Sequence, residues 1–139
     1  MTKDEKLKIT PEFDCALRLW GEDKPQEAIN VFKKLNAEFP NQPALLGMIG
    51  GIYRTLDDFT NALTYFEKTV EFSPKSELAS RALFLTLWEL KRYENAFEEA
   101  QRFIKLRGIT EEYAFIINEF EEQGFLDQTP FASCRIAPK

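Results

Sequence analysis

Carboxylates are the side chains of this sequence best suited to acid–base chemistry, and they occur as adjacent pairs at 57–58, 98–99 and 121–122. The first pair falls in a stretch typical of a helical turn, and the other two fall on helix faces that we expect to point outward. The chain contains no histidine, which is the commonest general base and the commonest metal ligand. Solvated surface charge therefore explains these pairs better than a catalytic pair of carboxylates.

The other reactive residue types form no recognisable site. The two cysteines, Cys15 and Cys134, are too few for a disulfide framework and lack the spacing of metal ligands. No P-loop, nucleophile elbow or dinucleotide-binding glycine pattern occurs. The sequence therefore predicts a protein that is not an enzyme and that holds no metal and no cofactor.

Charge and hydropathy narrow the range of partners. The net charge is −5, and residues 109–139 contribute most of it, with six acidic and two basic side chains. No basic stripe exists for nucleic acid, and an acidic chain is a poor match for anionic membranes. The longest apolar runs have four residues, as at 114–117, and the first ten residues lack the apolar run of a signal peptide. We therefore expect a soluble, cytoplasmic protein that binds neither nucleic acid nor membrane.

A skeleton of small and aromatic residues returns every 34 positions, and the elements that carry it must position everything else. Ala28, Ala62 and Ala96 mark the same position of three repeats. The repeats are residues 9–42, 43–76 and 77–110. Each divides into two amphipathic helical stretches separated by turn residues, so the pattern predicts three helical hairpins.

The sequence also indicates where these helices begin and end. The residues that we expect to act as N-caps are Thr10, Asp58 and Ser76. Pro11 and Pro43 suit the first helical turn, where a missing N–H costs nothing. Pro74 prevents the second helix of the middle repeat from continuing.

The skeleton resembles the tetratricopeptide repeat (TPR), whose pattern is W-x2-L-G-x2-Y…A-x3-F…P. The first repeat departs from it with Glu12 at the usual Trp position, and the third places Phe84 at the small position and Ala100 at the aromatic one. The resemblance implies an all-α fold, a right-handed superhelical solenoid of three TPR hairpins. The middle repeat carries the pattern most completely, with Leu46, Ile49, Gly50, Tyr53, Ala62, Phe66 and Pro74.

Beyond the third repeat, residues 110–124 read as a capping helix whose acidic face points to solvent, with Thr110 as its N-cap. The TPR domain would then span residues 9–124, after an N-terminal extension of residues 1–8. The tail, residues 125–139, has apolar residues without a helical period. The sequence leaves open whether this tail folds back onto the domain or stays disordered.

In the TPR family, the first helix of each repeat lines the concave side of the superhelix. The resemblance therefore implies an apolar, aromatic groove as the partner-binding site. Trp20 and Trp88 hold the same position of the first and third repeats, with Arg54 between them in the second, and Trp and Arg are enriched among binding hot spots. The expected groove residues are Phe13, Leu17, Trp20, Gly47, Met48, Gly51, Arg54, Leu78, Arg81, Leu85 and Trp88.

Some family members grip the acidic C-terminus of a heat-shock chaperone with a clamp of Lys and Asn residues. At those clamp positions this sequence has Phe13, Leu17, Met48, Leu78 and Ala82 instead. A carboxylate-tail binder is therefore disfavoured. We expect an apolar or amphipathic protein segment as the partner, anchored by side chains one helical turn apart.

Three functions remain open at this point. The first is a protein-interaction module that recognises a segment in the groove. The second is a dedicated chaperone or antidote that masks one client, since bacterial secretion chaperones with three such repeats are similar in outline. The third is a homodimer in which the abundant aromatic residues pair two copies.

Overall fold

The computed structural model describes residues 1–122, and these residues form α-helices and no strand. The predicted all-α class is confirmed. The predicted tail, residues 125–139, lies outside the described part. The helices are α1 (Lys3–Lys8), α2 (Pro11–Gly21), α3 (Pro25–Glu38), α4 (Pro43–Thr55), α5 (Phe59–Phe72), α6 (Glu77–Glu89), α7 (Tyr93–Arg107) and α8 (Glu111–Glu122).

The chain divides into two compact lobes. The N-terminal lobe is Met1–Pro74, and it contains the hairpins α2–α3 and α4–α5. The C-terminal lobe is Lys75–Lys139, and its described part contains the hairpin α6–α7 followed by α8. Within residues 1–122, no helix is both long enough and apolar enough to cross a membrane.

The predicted helix starts are confirmed in atomic detail. The side chain of Thr10 accepts a hydrogen bond from the backbone N–H of Phe13, with N···O 3.2 Å. Asp58 caps α5 and Ser76 caps α6 in the same way, each at 3.2 Å. These bonds satisfy backbone donors that the first turn of a helix leaves without a partner. Proline fills the first turn of α2 and of α4, as the sequence predicts.

The turns inside the three hairpins repeat with the same 34-residue period. Asp23, Asp57 and Lys91 all adopt a left-handed backbone, with φ of 61°, 58° and 60°. Each donates its N–H to the carbonyl three residues earlier, at 3.1, 3.0 and 2.9 Å. A left-handed residue reverses the chain tightly at a helix end. The repeat therefore governs the backbone of the turn as well as the side chains of the helices.

Close packing in the N-terminal lobe depends on small residues on one helix of each hairpin. A Cβ on Gly50 would lie 2.8 Å from a ring atom of Phe66, a distance that real Cβ atoms essentially never show. Glycine therefore lets α4 approach α5 closely enough to bury the Phe66 ring. Ala28 and Phe32 of α3 are also fully buried.

The N-terminal extension contains a helix that the sequence analysis did not assign. Thr2 caps α1 by accepting from the N–H of Glu5 at 3.1 Å, and Leu7 is fully buried. The sequence does contain end signals of this helix, because an N-cap threonine precedes acidic residues in the first turn and basic residues in the last. A single apolar residue was too little for a periodicity to show.

The core of the C-terminal lobe is an aromatic cluster. Phe84 meets Phe97 and Tyr113 edge to face, with ring centroids 6.1 Å apart in both pairs. Tyr113 also packs on Phe103, at 5.3 Å. These rings join α6, α7 and α8, so α8 is held by side chains that reach across the hairpin.

Candidate functional site

Within the N-terminal lobe, α2 and α4 present an apolar face that is partly accessible. The Trp20 indole lies over Gly51, because a Cβ placed on that glycine would be 3.8 Å from the ring atom Cη2. One turn before Trp20 on the same side of α2, Leu17 is 37% exposed. Met48 and Arg54 on α4 are half-buried. We call these five residues the α2–α4 face.

Two residues predicted for the groove lie elsewhere. Phe13 is only 5% exposed, and its ring meets Phe32 of α3 edge to face, with centroids 5.9 Å apart. The expectation that Phe13 lines an open groove is therefore corrected, because its side chain belongs to the core. A Cβ on Gly47 would point toward α5, 3.7 Å from Thr69. Phe13 and Gly47 hold the same position of the first two repeats, and both face the second helix of their own hairpin.

The predicted residues of the C-terminal lobe differ widely in exposure. Leu78 is 73% exposed, while Leu85 and Trp88 are half-buried. The Trp88 indole packs against Tyr93 and Phe97 of α7, with centroids 4.4 and 5.7 Å away. Trp88 therefore contributes to the packing of its own hairpin.

Arg81 is engaged by acidic neighbours. Its Nε lies 3.5 Å from Oε1 of Glu77, one turn earlier on α6. Across on α8, the pKa of the Glu112 carboxyl is lowered, first by a hydrogen bond from its own backbone N–H, with Glu77 and the charge of Arg81 adding to the effect. Arg81, which the resemblance places among the groove residues, therefore has acidic neighbours within its own lobe.

A buried polar network is the feature that sequence reasoning missed. The hydroxyl of Ser80 donates to Glu99 at 2.6 Å and lies 2.5 Å from the Tyr113 hydroxyl. Arg102 donates two hydrogen bonds to the Glu99 carboxylate, both at 2.8 Å. Ser80 and Tyr113 are fully buried, and Glu99 is nearly so. The expectation that Glu99 lies on an outward helix face was therefore wrong.

The role of this network is to hold packed helices together. Burial raises the pKa of the Tyr113 hydroxyl, and hydrogen bonding to Glu99 raises the pKa of Arg102. Tyr113 therefore stays neutral and Arg102 charged, while the carboxylate shares its hydrogen bonds between α6 and α7. Such networks fix the relative position of packed helices when every member is satisfied. Among residues 1–122, no three acidic or cysteine side chains are grouped so as to hold a metal ion.

Comparison with known families and structures identifies the repeat. Residues 43–76 match the model of the tetratricopeptide repeat family. These are the bounds predicted for the middle repeat. No curated protein sequence matches the chain.

Solved structures agree on the fold at low sequence identity. The chain is similar to the first TPR of Spaghetti (RPAP3), solved bound to the HSP90 peptide SRMEEVD, with a TM-score of 0.68 and 19% identity over 87% of this chain and 94% of that one. It is similar to the Sgt2 TPR domain from Aspergillus fumigatus, with a TM-score of 0.67 and 18% identity over 89% and 83%. A third neighbour is MamA from Desulfovibrio magneticus RS-1, with a TM-score of 0.63 and 22% identity over 76% of this chain and 57% of that one.

Proposed function

Because the chain carries a tetratricopeptide repeat at residues 43–76, we propose that it is a non-enzymatic, cytoplasmic protein-interaction module that binds an apolar or amphipathic segment of a partner protein. TPR-fold proteins serve as protein-binding scaffolds, and one structural neighbour was solved with a bound peptide. The observation that carries the proposal is the α2–α4 face. It combines a half-buried indole, seated on a glycine, with an exposed leucine one turn away.

The chemistry of that face selects the partner. A wide aromatic ring and a leucine on one stripe of α2 suit apolar anchors that recur at helical spacing. Arg54 on α4 supplies one positive charge beside them, which fits a single acidic group next to the anchors. The face has no group of lysines that would neutralise several carboxylates, so a segment such as the acidic HSP90 peptide of the structural neighbour is a poor fit.

The experiment begins with capture of partners from the native cell and then measures affinity for the partner so identified. Trp20→Ala and Leu17→Glu are the test variants. Phe72→Glu is the matched control, because Phe72 is 43% exposed but lies on α5. Truncation of a hot-spot side chain costs on the order of 2–4 kcal/mol, which is roughly a 30- to 1000-fold loss of affinity.

We expect both test variants to lose the partner and the control to keep it. Circular dichroism and thermal melting establish that each variant is folded. Equal affinity for all three folded variants would sink the proposed face. If the captured partner is a second copy of this chain, the wild type will sediment faster as its concentration rises. That result would assign the face to dimerisation instead.

A further inference from the structure

Helix α8 follows α6 at the 34-residue spacing of the repeat, so its residues correspond to those of the first helix of a hairpin. In the three hairpins, the residues at one shared position are Ala16, Gly50 and Phe84, and all three are buried. Gly50 lies against Phe66 of α5, and Phe84 meets Phe97 of α7, so this position faces the second helix. The residue 34 positions after Phe84 is Asn118 on α8, and it is exposed.

A second shared position shows a contrast between α2 and α8. Phe13 on α2 is 5% exposed because it packs on Phe32 of α3. Three repeat lengths further on, the corresponding residue is Phe115 on α8, which is 67% exposed. The inner side of α8 is packed normally, since Tyr113 and Ile117 are buried in the lobe. Among the described residues, nothing covers the side of α8 that a second helix covers elsewhere.

We call Ala114, Phe115 and Asn118 the open face of α8. A capping helix is expected to present a polar outer face, yet this one places a phenylalanine at its centre. Glu111 and Glu119 lie one turn to either side of Phe115, and both are exposed. Helix α8 contains five glutamates and no lysine or arginine. The open face is therefore an aromatic anchor between carboxylates.

The aromatic and acidic composition of the open face indicates which of three candidates binds there: a second copy of the chain, its own C-terminal residues or a helix of another protein. A second copy docking α8 against α8 across a two-fold axis would bring glutamates face to face, which is unfavourable. Residues 123–139 contain Pro130 and Pro138 and show no helical apolar period, so their sequence does not predict the helix that the position calls for. A helix with apolar residues on one side and Lys or Arg beside them complements both the ring and the charges.

We propose that the open face of α8 binds a basic amphipathic helix of a partner protein, which completes a fourth hairpin in trans. The partner's apolar side chains pack on Phe115, and its cations pair with Glu111 and Glu119. This proposal uses no residue of the α2–α4 face and stands or falls separately from it.

The test uses synthetic helical peptides of about four turns, roughly 15 residues. One has leucines on one face and lysines on the other, and its counterpart replaces every lysine with glutamate. Fluorescence anisotropy of the labelled peptides measures the dissociation constant with the full chain. We expect the lysine peptide to bind at least about tenfold more tightly than the glutamate peptide, and added salt to weaken it.

Matched variants separate the open face from general attraction to an acidic protein. Phe115→Ala should weaken binding of the lysine peptide about tenfold or more, while Phe72→Ala, an exposed phenylalanine on α5, should leave it unchanged. Glu111→Gln with Glu119→Gln should weaken binding several-fold. Glu67→Gln with Glu71→Gln on α5 makes the same change in net charge and should have little effect.

Three outcomes would overturn the proposal. Equal affinity of Phe115→Ala and Phe72→Ala would show that the peptide follows net charge alone. Dimers in sedimentation that vanish with Phe115→Ala would give the face to a second copy. An affinity that rises when Phe125 and Phe131 are replaced by serine, which leaves the net charge unchanged, would give the face to the chain's own tail.

Discussion

The hairpins α4–α5 and α6–α7 solve the same packing problem with opposite residues. In the first, Gly50 is the small residue and Phe66, on the second helix, is the large one. At the corresponding positions of the other hairpin, Phe84 is on the first helix and Ala100 on the second, and both are buried. Both hairpins therefore pair one small with one large residue at these positions, and either helix can hold the ring.

The inversion has a structural consequence in the C-terminal lobe. Because its ring sits on the first helix, Phe84 contacts Tyr113 of α8 as well as Phe97 of its own hairpin. Tyr113 in turn joins the buried network of Ser80 and Glu99. In the α4–α5 hairpin the place of Ser80 is taken by the buried Leu46. The inverted hairpin thus docks a further helix through rings and hydrogen bonds.

Exchanging the large and the small residue of the α6–α7 hairpin has the largest expected effect on stability. Phe84→Ala removes a fully buried ring and should cost about 3–5 kcal/mol of unfolding free energy. Ala100→Phe alone overpacks the hairpin and should cost roughly 1–3 kcal/mol. The double variant should lose less than the sum by at least about 1 kcal/mol, because the two volumes compensate. Chemical denaturation of the four proteins measures this coupling.

A pair of substitutions in different lobes controls for a general loss of stability. Phe32→Ala empties a fully buried site in the N-terminal lobe, so its combination with Ala100→Phe should be additive within about 0.5 kcal/mol. If Phe84→Ala and Ala100→Phe are equally additive, the two positions do not share one contact, and the comparison of the hairpins fails.

A smaller effect is expected at the glycine of the uninverted hairpin. Gly50→Ala gains about 1 kcal/mol in helix propensity but forces the buried Phe66 ring to move, which typically costs roughly 1–3 kcal/mol. We expect a net loss of about 1 kcal/mol. Gly51→Ala is the matched control, because its Cβ would make an ordinary 3.8 Å contact with Trp20. That variant should be neutral or slightly more stable, and a similar loss in both would contradict the argument.

The sequence predicted those parts of the fold that local signals determine. The helix starts at Thr10, Asp58 and Ser76 were readable because an N-cap is a property of a few adjacent residues. The hairpin period was readable because Ala28, Ala62 and the residues around them recur in register. These signals place each helix and its buried face, and they require no knowledge of distant contacts.

The site was less predictable because exposure depends on what covers a residue. Phe13 and Phe115 hold corresponding positions, yet the first is buried by α3 and the second is open. Glu99 looked like surface charge because its partner Ser80 lies on another helix, although Arg102 three residues later was a hint of an ion pair. The exposure of Phe115 was not predicted, because the sequence around it indicated a capping helix with an acidic outer face.

The smallest expected effect lies in the turns of the same two hairpins. Asp57 and Lys91 adopt nearly the same left-handed backbone, but aspartate tolerates it far better than lysine does. Relief of that cost by glycine is partly offset by the greater freedom of glycine in the unfolded chain. Lys91→Gly should therefore stabilise the protein by about 0.5–1 kcal/mol, and Asp57→Gly should give a smaller gain. Thermal melting of the two variants measures the difference, and a loss of stability on Lys91→Gly would mean that the lysine side chain holds the turn by contacts that outweigh its backbone strain.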